Sequence, residues 1–494
     1  MAVAKQFKAE HDMTIQVVSR HVVKASPCVE PYVLAVSNLD LIHRSTQSSV
    51  ACIYRKPASG DFSAVTAAFH AELPAFLNYF FPLAGRIVTN TSSGHPEVQC
   101  CNQGAELVIG HAGVDLGSLD WSRSDESLNR IKLAHAADVA LSVQLVSFTC
   151  GGFAVVWATN SLIAGDGEAA SMLVRMWSEF LCVGTIAVPN HDRSLFLRPR
   201  DPPSYDASMD GMFTPWHHEH EVNTLTAQEN LVERLYYVHG HDIERLRQMA
   251  SRGGQRSSRV QALSAYIWKV VAGVVAASTR QEKRCRMGWW VDGRQRLRAP
   301  ALRNYVGNAT TYVVEEAAVD TILQAPLADV SATVREAITS VDYEERYKQV
   351  VDWLEKHNPA PPPQGGRRRR FVEAATVGLG SPTVSQMVWA SFAGDTDFGF
   401  GEAALAMPMP VSASTMKLCS GYLCVVSRPS DEAPWIIRAC IWPRLAAALE
   451  SDEQRIFNPL TAEFLGFSQR RSTAWDARPR LFECLIVKLM MYSS

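Results

Sequence analysis

A predicted strand–turn–helix unit in the first half of the chain is the strongest constraint on the fold of this sequence. Two β-rich runs, Val143–Thr149 and Phe153–Thr159, are joined by a Cys-Gly-Gly segment, which predicts a hairpin. After a turn at residues 160–167, apolar residues recur on one face of a helix that starts at Glu168. A strand that ends at a glycine-containing turn before a helix often places side chains at the mouth of a site.

Similar patterns predict the elements on either side of this unit. The predicted strands are Met13–Val18 and Ser49–Arg55, and the predicted helices are Ser63–Phe81, His241–Ser251 and Arg259–Ser278. Ser63 is the expected N-cap of the first helix, and Pro74 is expected to kink or split it.

Composition and length predict a two-domain globular protein. The chain has 494 residues, of which 47% are hydrophobic and 20% charged, and its formal net charge is −2. These values exclude a disordered chain, and each half is long enough to bury its own core. A charge near zero gives no basic surface for nucleic acid.

The cysteines and the N-terminus favour the cytoplasm. There are 11 cysteines without a CxxC spacing, a pattern that favours reduced thiols over a disulfide framework or a zinc site. Residues 1–12 lack the apolar core of a secretory signal. The longest apolar run, Ala262–Ser278, is interrupted by Lys269 and predicts a buried helix, so no membrane span is expected.

Five short motifs occur in an order that defines a family resemblance. They are Ser37-Asn38-Leu39-Asp40, Phe81-Pro82-Leu83-Ala84-Gly85-Arg86, the segment from Val291 to Leu297, Tyr305-Val306-Gly307-Asn308, and Asp397-Phe398-Gly399-Phe400-Gly401. In order and spacing, from about Met13 to Phe467, the chain resembles the plant BAHD acyl-CoA-dependent acyltransferases.

The resemblance implies an α/β fold of two similar-sized domains, like those of chloramphenicol acetyltransferase. Each domain would have a mixed sheet and flanking helices, with a channel between them for acyl-CoA and for an alcohol or amine acceptor. The expected limits are residues 1–188 and 226–467 for the domains, 189–225 for a crossover loop, and 468–494 for an extra tail. No cofactor besides the acyl-CoA co-substrate is expected, and the protein is expected to be a monomer.

The chemistry implied by the resemblance depends on a His-x-x-x-Asp-Gly turn. Its histidine takes the proton from the acceptor, which suits imidazole because its pKa lies near working pH. Its aspartate pairs with an arginine of the second domain, for which Arg294 is the first choice.

This chain departs from the motif, because its turn reads Thr-Asn-Ser-Leu-Ile-Ala-Gly-Asp-Gly from Thr159. In one register Ser161 replaces the histidine and Gly165 the aspartate. In a second register, counted from Asp166, Leu162 replaces the histidine. With a one-residue insertion, Ser161 and Asp166 both take the family's positions. No register supplies a histidine.

Two functions therefore remain open. General-base catalysis is worth about 10² to 10⁴ in rate, whereas positioning is worth roughly 7–11 kcal/mol, so a slow acyltransferase is feasible without the histidine. The alternative is a non-catalytic member of the family that binds a partner enzyme or acyl-CoA.

The other candidate residues come from the remaining motifs. Asp397 is a candidate for the site, although tight glycine turns favour an architectural role for it. Ser257, Ser258 and Lys269 lie where the family meets coenzyme A. The histidine-rich run at residues 217–220 is expected to be an exposed loop, so no metal site is predicted.

Overall fold

Two mixed β-sheets with helices packed against them form the framework of the protein. The computed structural model describes residues 13–27, 29–42, 47–58, 60–164, 166–194, 198–215, 231–278, 283–297, 299–357, 371–378, 380–390, 392, 396–409, 420–427, 430 and 432–468. The strands are β1 Ile15–Val23, β2 Tyr32–Ala35, β3 Gln47–Tyr54, β4 Arg86–Thr89, β5 Pro96–Cys100, β6 Ala105–Ala112, β7 Leu141–Phe148, β8 Phe153–Asn160, β9 Phe213–Pro215, β10 Val232–Val238, β11 Arg284–Asp292, β12 Thr310–Ala318, β13 Phe371–Glu373, β14 Thr383–Trp389, β15 Leu405–Met409, β16 Ser420–Val426, β17 Trp435–Ile441 and β18 Asn458–Pro459. The α-helices are α1 Asn38–Ile42, α2 Phe62–Tyr79, α3 Leu128–Ile131, α4 Ser161–Ala164, α5 Gly167–Val183, α6 Gly240–Met249, α7 Arg259–Ala276, α8 Val319–Gln324, α9 Leu327–Thr339, α10 Tyr343–His357 and α11 Pro443–Ser451.

Each half of the chain contributes one large sheet. The first has the strand order β1-β6-β7-β8-β3-β15, and the second has the order β12-β11-β14-β16-β17-β10-β18. The pairs β6–β7, β11–β14 and β14–β16 are parallel and the other neighbours are antiparallel, so both sheets are mixed. The predicted α/β class with two mixed sheets is confirmed.

One strand of the second half lies in the first sheet. Leu405–Met409, which lies within the range 226–467 expected for the second domain, pairs antiparallel with β3 of the first sheet. The physical reason is the edge of β3, whose backbone groups would lack partners without a further strand. All five residues of β15 are buried, so the strand that forms this edge of the sheet lies inside the protein.

Helix α2 covers the first sheet as a single helix, and the predicted split at Pro74 does not occur. The buried residues Phe69 and Phe76 pack against Trp177 of α5 at ring-centroid distances of 4.7 and 5.1 Å, which holds the helix on both sides of the proline. The predicted N-cap is also wrong. The Asp61 carboxylate, rather than Ser63, caps the helix, because it accepts hydrogen bonds from the amides of Ser63 and Ala64.

The described residues bear on two expectations, that the chain has no membrane-spanning helix and that its cysteines are reduced. Among these residues, no helix combines the length and the apolar character needed to cross a bilayer. The adjacent Cys100 and Cys101 are both free thiols.

A buried carboxyl group on β13 makes the stability of the fold depend on pH. Burial raises the pKa of Glu373 to about 7, although Arg346 and a backbone hydrogen bond oppose the shift. The folded protein therefore keeps this proton up to about pH 7, whereas the unfolded chain loses it near the ordinary value of 4.5. The contribution of Glu373 to the free energy of unfolding should therefore fall as the pH rises between these two values, and it should stay constant above them.

Replacing Glu373 with glutamine, which resembles the protonated acid, should remove this pH dependence. Each pKa unit corresponds to about 1.4 kcal/mol, so the variant should be more stable than the wild type by about 3 kcal/mol at roughly pH 8 and equal to it at roughly pH 4. Urea unfolding at both pH values measures the difference. The exposed Glu402→Gln is the control, and an equal gain in that variant would contradict the assignment.

Candidate active site

The turn between β8 and α5 contains a short helix where the sequence predicted an open turn. Strand β8 ends at Asn160, and α4 begins at the next residue. The Asn160 side chain accepts a hydrogen bond from the amide of Leu162 at 3.0 Å. Ser161, Leu162 and Ile163 are all buried. The residues that follow the strand therefore pack into the protein.

The structure brings Asp166 and Arg294 together across the two halves of the chain. Arg294 Nη1 donates to Asp166 Oδ2 at 2.9 Å, and Nη2 donates to Oδ1 at 3.2 Å. Asp166 also accepts from the amide of Ala309 at 2.7 Å, and it caps α5 by accepting from the amide of Ala169 at 2.8 Å. The Asp166 and Arg294 side chains are only 0% and 6% exposed, so a fully bonded ion pair fixes the start of α5.

The electrostatics of this pair keep Arg294 charged. Burial lowers the pKa of its guanidinium, but the carboxylates of Asp166 and Asp292 outweigh this effect and raise the pKa. Asp292 accepts from Arg294 Nη1 at 2.8 Å. Burial nevertheless raises the pKa of Asp292 above its ordinary value, because the guanidinium offsets the cost of burial only in part.

A second buried ion pair holds the same turn through its backbone. Arg193 Nε donates to Asp40 Oδ2 at 3.1 Å, and Arg193 Nη2 donates to the carbonyl of Ile163 at 3.0 Å. The amide of the Asn308 side chain donates to Asp40 Oδ1 at 2.8 Å and to the carbonyl of Ser161 at 2.7 Å. Residues from both halves therefore fix the position of α4.

The sequence analysis missed Arg193 and gave Asp40 and Asn308 no role. Asp40 and Asn308 stand in two of the family motifs, which is the signal that could have identified them. Arg193 lies in the polar segment after α5, which has no periodicity. The ring of Tyr305 contacts both arginines, with the guanidinium carbons of Arg193 and Arg294 at 5.3 and 5.6 Å from its centroid.

Two cavities that share part of their lining lie in the region where the resemblance implies a channel. The large cavity, of about 370 Å³, is lined mainly by the first turn of α5, by β11 and the residues after it, and by β14. The small cavity, of about 80 Å³, is lined by residues of β3, β8, α5, β14, β15 and β16. Met387 and Trp389 line both cavities and so lie between them.

Trp389 sits directly against the start of α5. A Cβ atom at Gly167 would lie 3.0 Å from the Trp389 ring, which is closer than ordinary contact. A glycine at this position therefore lets the indole pack against the helix end.

The structure does not bring Ser161 to either cavity. Among the described residues, those that line the two cavities include neither Ser161 nor Leu162, and none of them is a histidine. The titratable side chains that line the large cavity are Glu168, Asp292 and Arg296. Glu168 is a site residue that the sequence analysis missed, because nothing in the pattern of a helix start distinguishes it.

Asp397 forms hydrogen bonds within its own motif, and it lines neither cavity. Its carboxylate accepts from the amides of Gly399 and Gly401 at 2.9 and 3.0 Å. Its carbonyl accepts from the hydroxyl of Ser178 on α5 at 2.5 Å. These bonds hold the Asp-Phe-Gly-Phe-Gly motif together and connect it to α5.

The three residues proposed for coenzyme A each have a structural partner in the second half of the chain. Ser257 contacts Ser331 with their hydroxyl oxygens 2.7 Å apart, and Ser258 caps α7 in a capping box with Gln261. Lys269 donates to three carbonyls near the end of α8, at 2.6 to 2.9 Å. None of the three lines the two cavities.

No cluster of three or more His, Cys, Asp or Glu side chains could hold a metal ion among the residues that the structure describes. The histidine-rich run at residues 217–220, Gly165 and residues 469–494 lie outside the described residues.

The comparisons with known proteins assign the chain to the BAHD class of acyltransferases. A family model described as "Transferase family" matches residues 13–440, and the chain belongs to that family. Its members transfer acyl groups from coenzyme A thioesters to alcohols or amines.

Relatives and solved structures agree with this assignment. The chain is 26% identical to anthranilate N-benzoyltransferase protein 1 of Dianthus caryophyllus, over 75% of this chain and 90% of the relative. It is 27% identical to putrescine hydroxycinnamoyltransferase 1 of Oryza sativa subsp. japonica, over 70% and 79%. Vinorine synthase has a similar fold, with a TM-score of 0.65 and 20% identity over 92% of this chain and 98% of that one. TRI101 of F. graminearum, complexed with coenzyme A and deoxynivalenol, has a TM-score of 0.69 and 13% identity over 86% and 99%.

Proposed function

We propose that this protein transfers an aromatic acyl group from coenzyme A to a small amine or alcohol. The observation that carries the proposal is the buried Asp166–Arg294 pair, which fixes the start of α5 at the wall of a cavity of about 370 Å³. Benzoyl and hydroxycinnamoyl groups in the names of the relatives support an aromatic donor. Anthranilate and putrescine in the same names support an amine acceptor, whose lone pair can attack before its proton leaves.

A non-catalytic member that binds acyl-CoA or a partner enzyme is the second candidate function. One observation favours it, since the described residues lining both cavities include no histidine to act as a base. Such a protein would have the same framework and buried ion pairs as the enzyme, but it would not turn over a substrate.

The experiment that separates the two functions measures thiol release. The purified protein is incubated with benzoyl-CoA or a hydroxycinnamoyl-CoA, with anthranilate or putrescine as acceptor. Acceptor-dependent release of free thiol, with the amide product detected by mass spectrometry, is the result expected of the enzyme. Saturable binding of the thioester without thiol release would instead support the non-catalytic member.

Replacing Ser161 with histidine should not restore activity at the family's rate. Ser161 is buried and lines neither cavity, so the new imidazole would enter packed protein and should lower the free energy of unfolding by about 1–3 kcal/mol. Thiol release and urea unfolding of the variant test this. A gain in rate approaching the 10² to 10⁴ typical of a general base would contradict it and would place residue 161 at the reaction centre.

We also propose that the protein acts as a monomer in the cytoplasm and needs no cofactor besides its acyl-CoA co-substrate. The free thiols of the adjacent Cys100 and Cys101 support a reducing compartment such as the cytoplasm. Light scattering during size-exclusion chromatography tests the oligomeric state.

A further inference from the structure

An unpaired amide group points to a ligand in the large cavity. Gln386 of β14 lines this cavity and is only 1% exposed. Its Nε2 is buried and has no hydrogen-bond partner among the described residues. Because a buried donor without a partner is costly, and because Gln386 lines a cavity, this amide is a candidate to donate to a molecule bound there.

A chain of hydrogen bonds sets which end of this amide is left unpaired. Trp289 Nε1 donates to Ser264 Oγ at 3.0 Å, and Ser264 Oγ donates to Gln386 Oε1 at 2.7 Å. If the amide were reversed, the Ser264 hydroxyl proton would lose its acceptor. These bonds therefore leave the NH₂ group, rather than the carbonyl oxygen, as the unpaired end of the amide.

A carboxylate stands at the wall of the same cavity. Glu168 lies in the first turn of α5, two residues after the buried Asp166, and lines the large cavity. It forms an ion pair with Arg175 at 3.8 Å, which is too long for a hydrogen bond. Asp292, the other carboxylate that lines the cavity, already accepts a hydrogen bond from Arg294 at 2.8 Å.

We propose that acyl transfer takes place in the large cavity, with Gln386 Nε2 donating to the acyl carbonyl oxygen and Glu168 accepting the proton of the attacking amine or hydroxyl. This assignment rests on the proposed function. The nucleophile forms a bond to the carbonyl carbon, its proton passes to the Glu168 carboxylate, and the carbon–sulfur bond breaks. The coenzyme A thiolate leaves with that proton, which restores the carboxylate.

The surroundings of Glu168 raise the pKa of its carboxyl group and so make its carboxylate a stronger base than that of an ordinary glutamate. Burial raises its pKa, and the nearby carboxylates Asp292 and Asp166 act in the same direction. Arg175 on the same helix and Arg294 lower it, but they do not reverse the shift. Arg296 also lines the cavity. Because the carboxylate is the active form, activity should rise with pH through a midpoint above that of an ordinary glutamate.

Two near-isosteric variants test the two roles. Glu168→Gln should lower kcat by about 10² to 10⁴-fold with little change in KM, and should lose the acidic limb of the pH profile. Gln386→Glu keeps the acceptor for Ser264 but removes the donor, and should lower kcat by roughly 10² to 10³-fold.

Glu179→Gln, on the exposed face of the same helix as Glu168, is the control and should match the wild type. Glu168→Asp should restore the acidic limb at a reduced kcat. The assay uses benzoyl-CoA with anthranilate or putrescine, and thermal unfolding verifies that each variant is folded.

The outcomes separate this assignment from the proposed function. A wild-type enzyme with turnover and a Glu168→Gln variant equal to it would overturn the role of Glu168 alone. Loss of the acidic limb in Asp292→Asn but not in Glu168→Gln would likewise overturn that role. An unchanged Gln386→Glu variant would overturn the role of the amide. A wild-type protein that binds the thioester but releases no thiol would overturn both the proposed function and this assignment.

Discussion

Replacing Arg294 with methionine should lower the free energy of unfolding by about 3–5 kcal/mol, since the change leaves a buried carboxylate without its counterion. The Asp166 side chain is 0% exposed, and water cannot replace the two guanidinium bonds that it loses. The remaining bonds, from the amides of Ala169 and Ala309, do not neutralise its charge. Chemical denaturation followed by tryptophan fluorescence measures the loss.

The matched control is Arg252→Met. Arg252 pairs with Asp329 at 3.2 Å, but their side chains are 73% and 51% exposed. Pairs of this kind contribute about 0–1 kcal/mol, so the control should unfold almost like the wild type. Equal losses in the two variants would show that the buried pair is not what holds the turn.

Replacing Asp40 with alanine should cost a comparable amount, about 3–5 kcal/mol. Arg193, whose side chain is 5% exposed, would lose its counterion, and the Asn308 side chain would lose one of its two acceptors. The backbone of α4 should shift as well, because both residues bind its carbonyls.

Asp320→Ala, at an exposed position in the first turn of α8, is the control for this experiment. Its effect should stay within about 0.5 kcal/mol, as is usual for surface substitutions. Hydrogen exchange at the amides of α4 provides a second measurement, which should increase in Asp40→Ala and not in the control. Unchanged exchange would contradict a role for Asp40 in holding that helix.

Local patterns predicted the parts of the fold that depend on near neighbours in sequence. The hairpin of β7 and β8 and the helix α5 follow from strand and helix periodicity, and they appear within a few residues of the expected limits. The contact between Asp166 and Arg294 followed from the family resemblance, because a motif carries information about distant contacts that periodicity does not.

The missed features depend on long-range contacts. Helix α4 has only four residues, too few for any periodic signal. The apolar residues of β15 predict a buried strand but do not specify which sheet it joins. The large cavity combines Glu168, Asp292 and Gln386 from three separate segments, which come together only when β11 pairs with β14 beside α5.

The buried ion pairs also limit how a substrate can reach the reaction centre. Asp166–Arg294 connects the two halves, and Asp40–Arg193 holds α4 beside it, so a hinge motion that separated the halves would expose at least one carboxylate and guanidinium pair to solvent. Large opening should therefore be costly. Met387 and Trp389 line both cavities, so a molecule that passed from one cavity to the other would meet these two side chains.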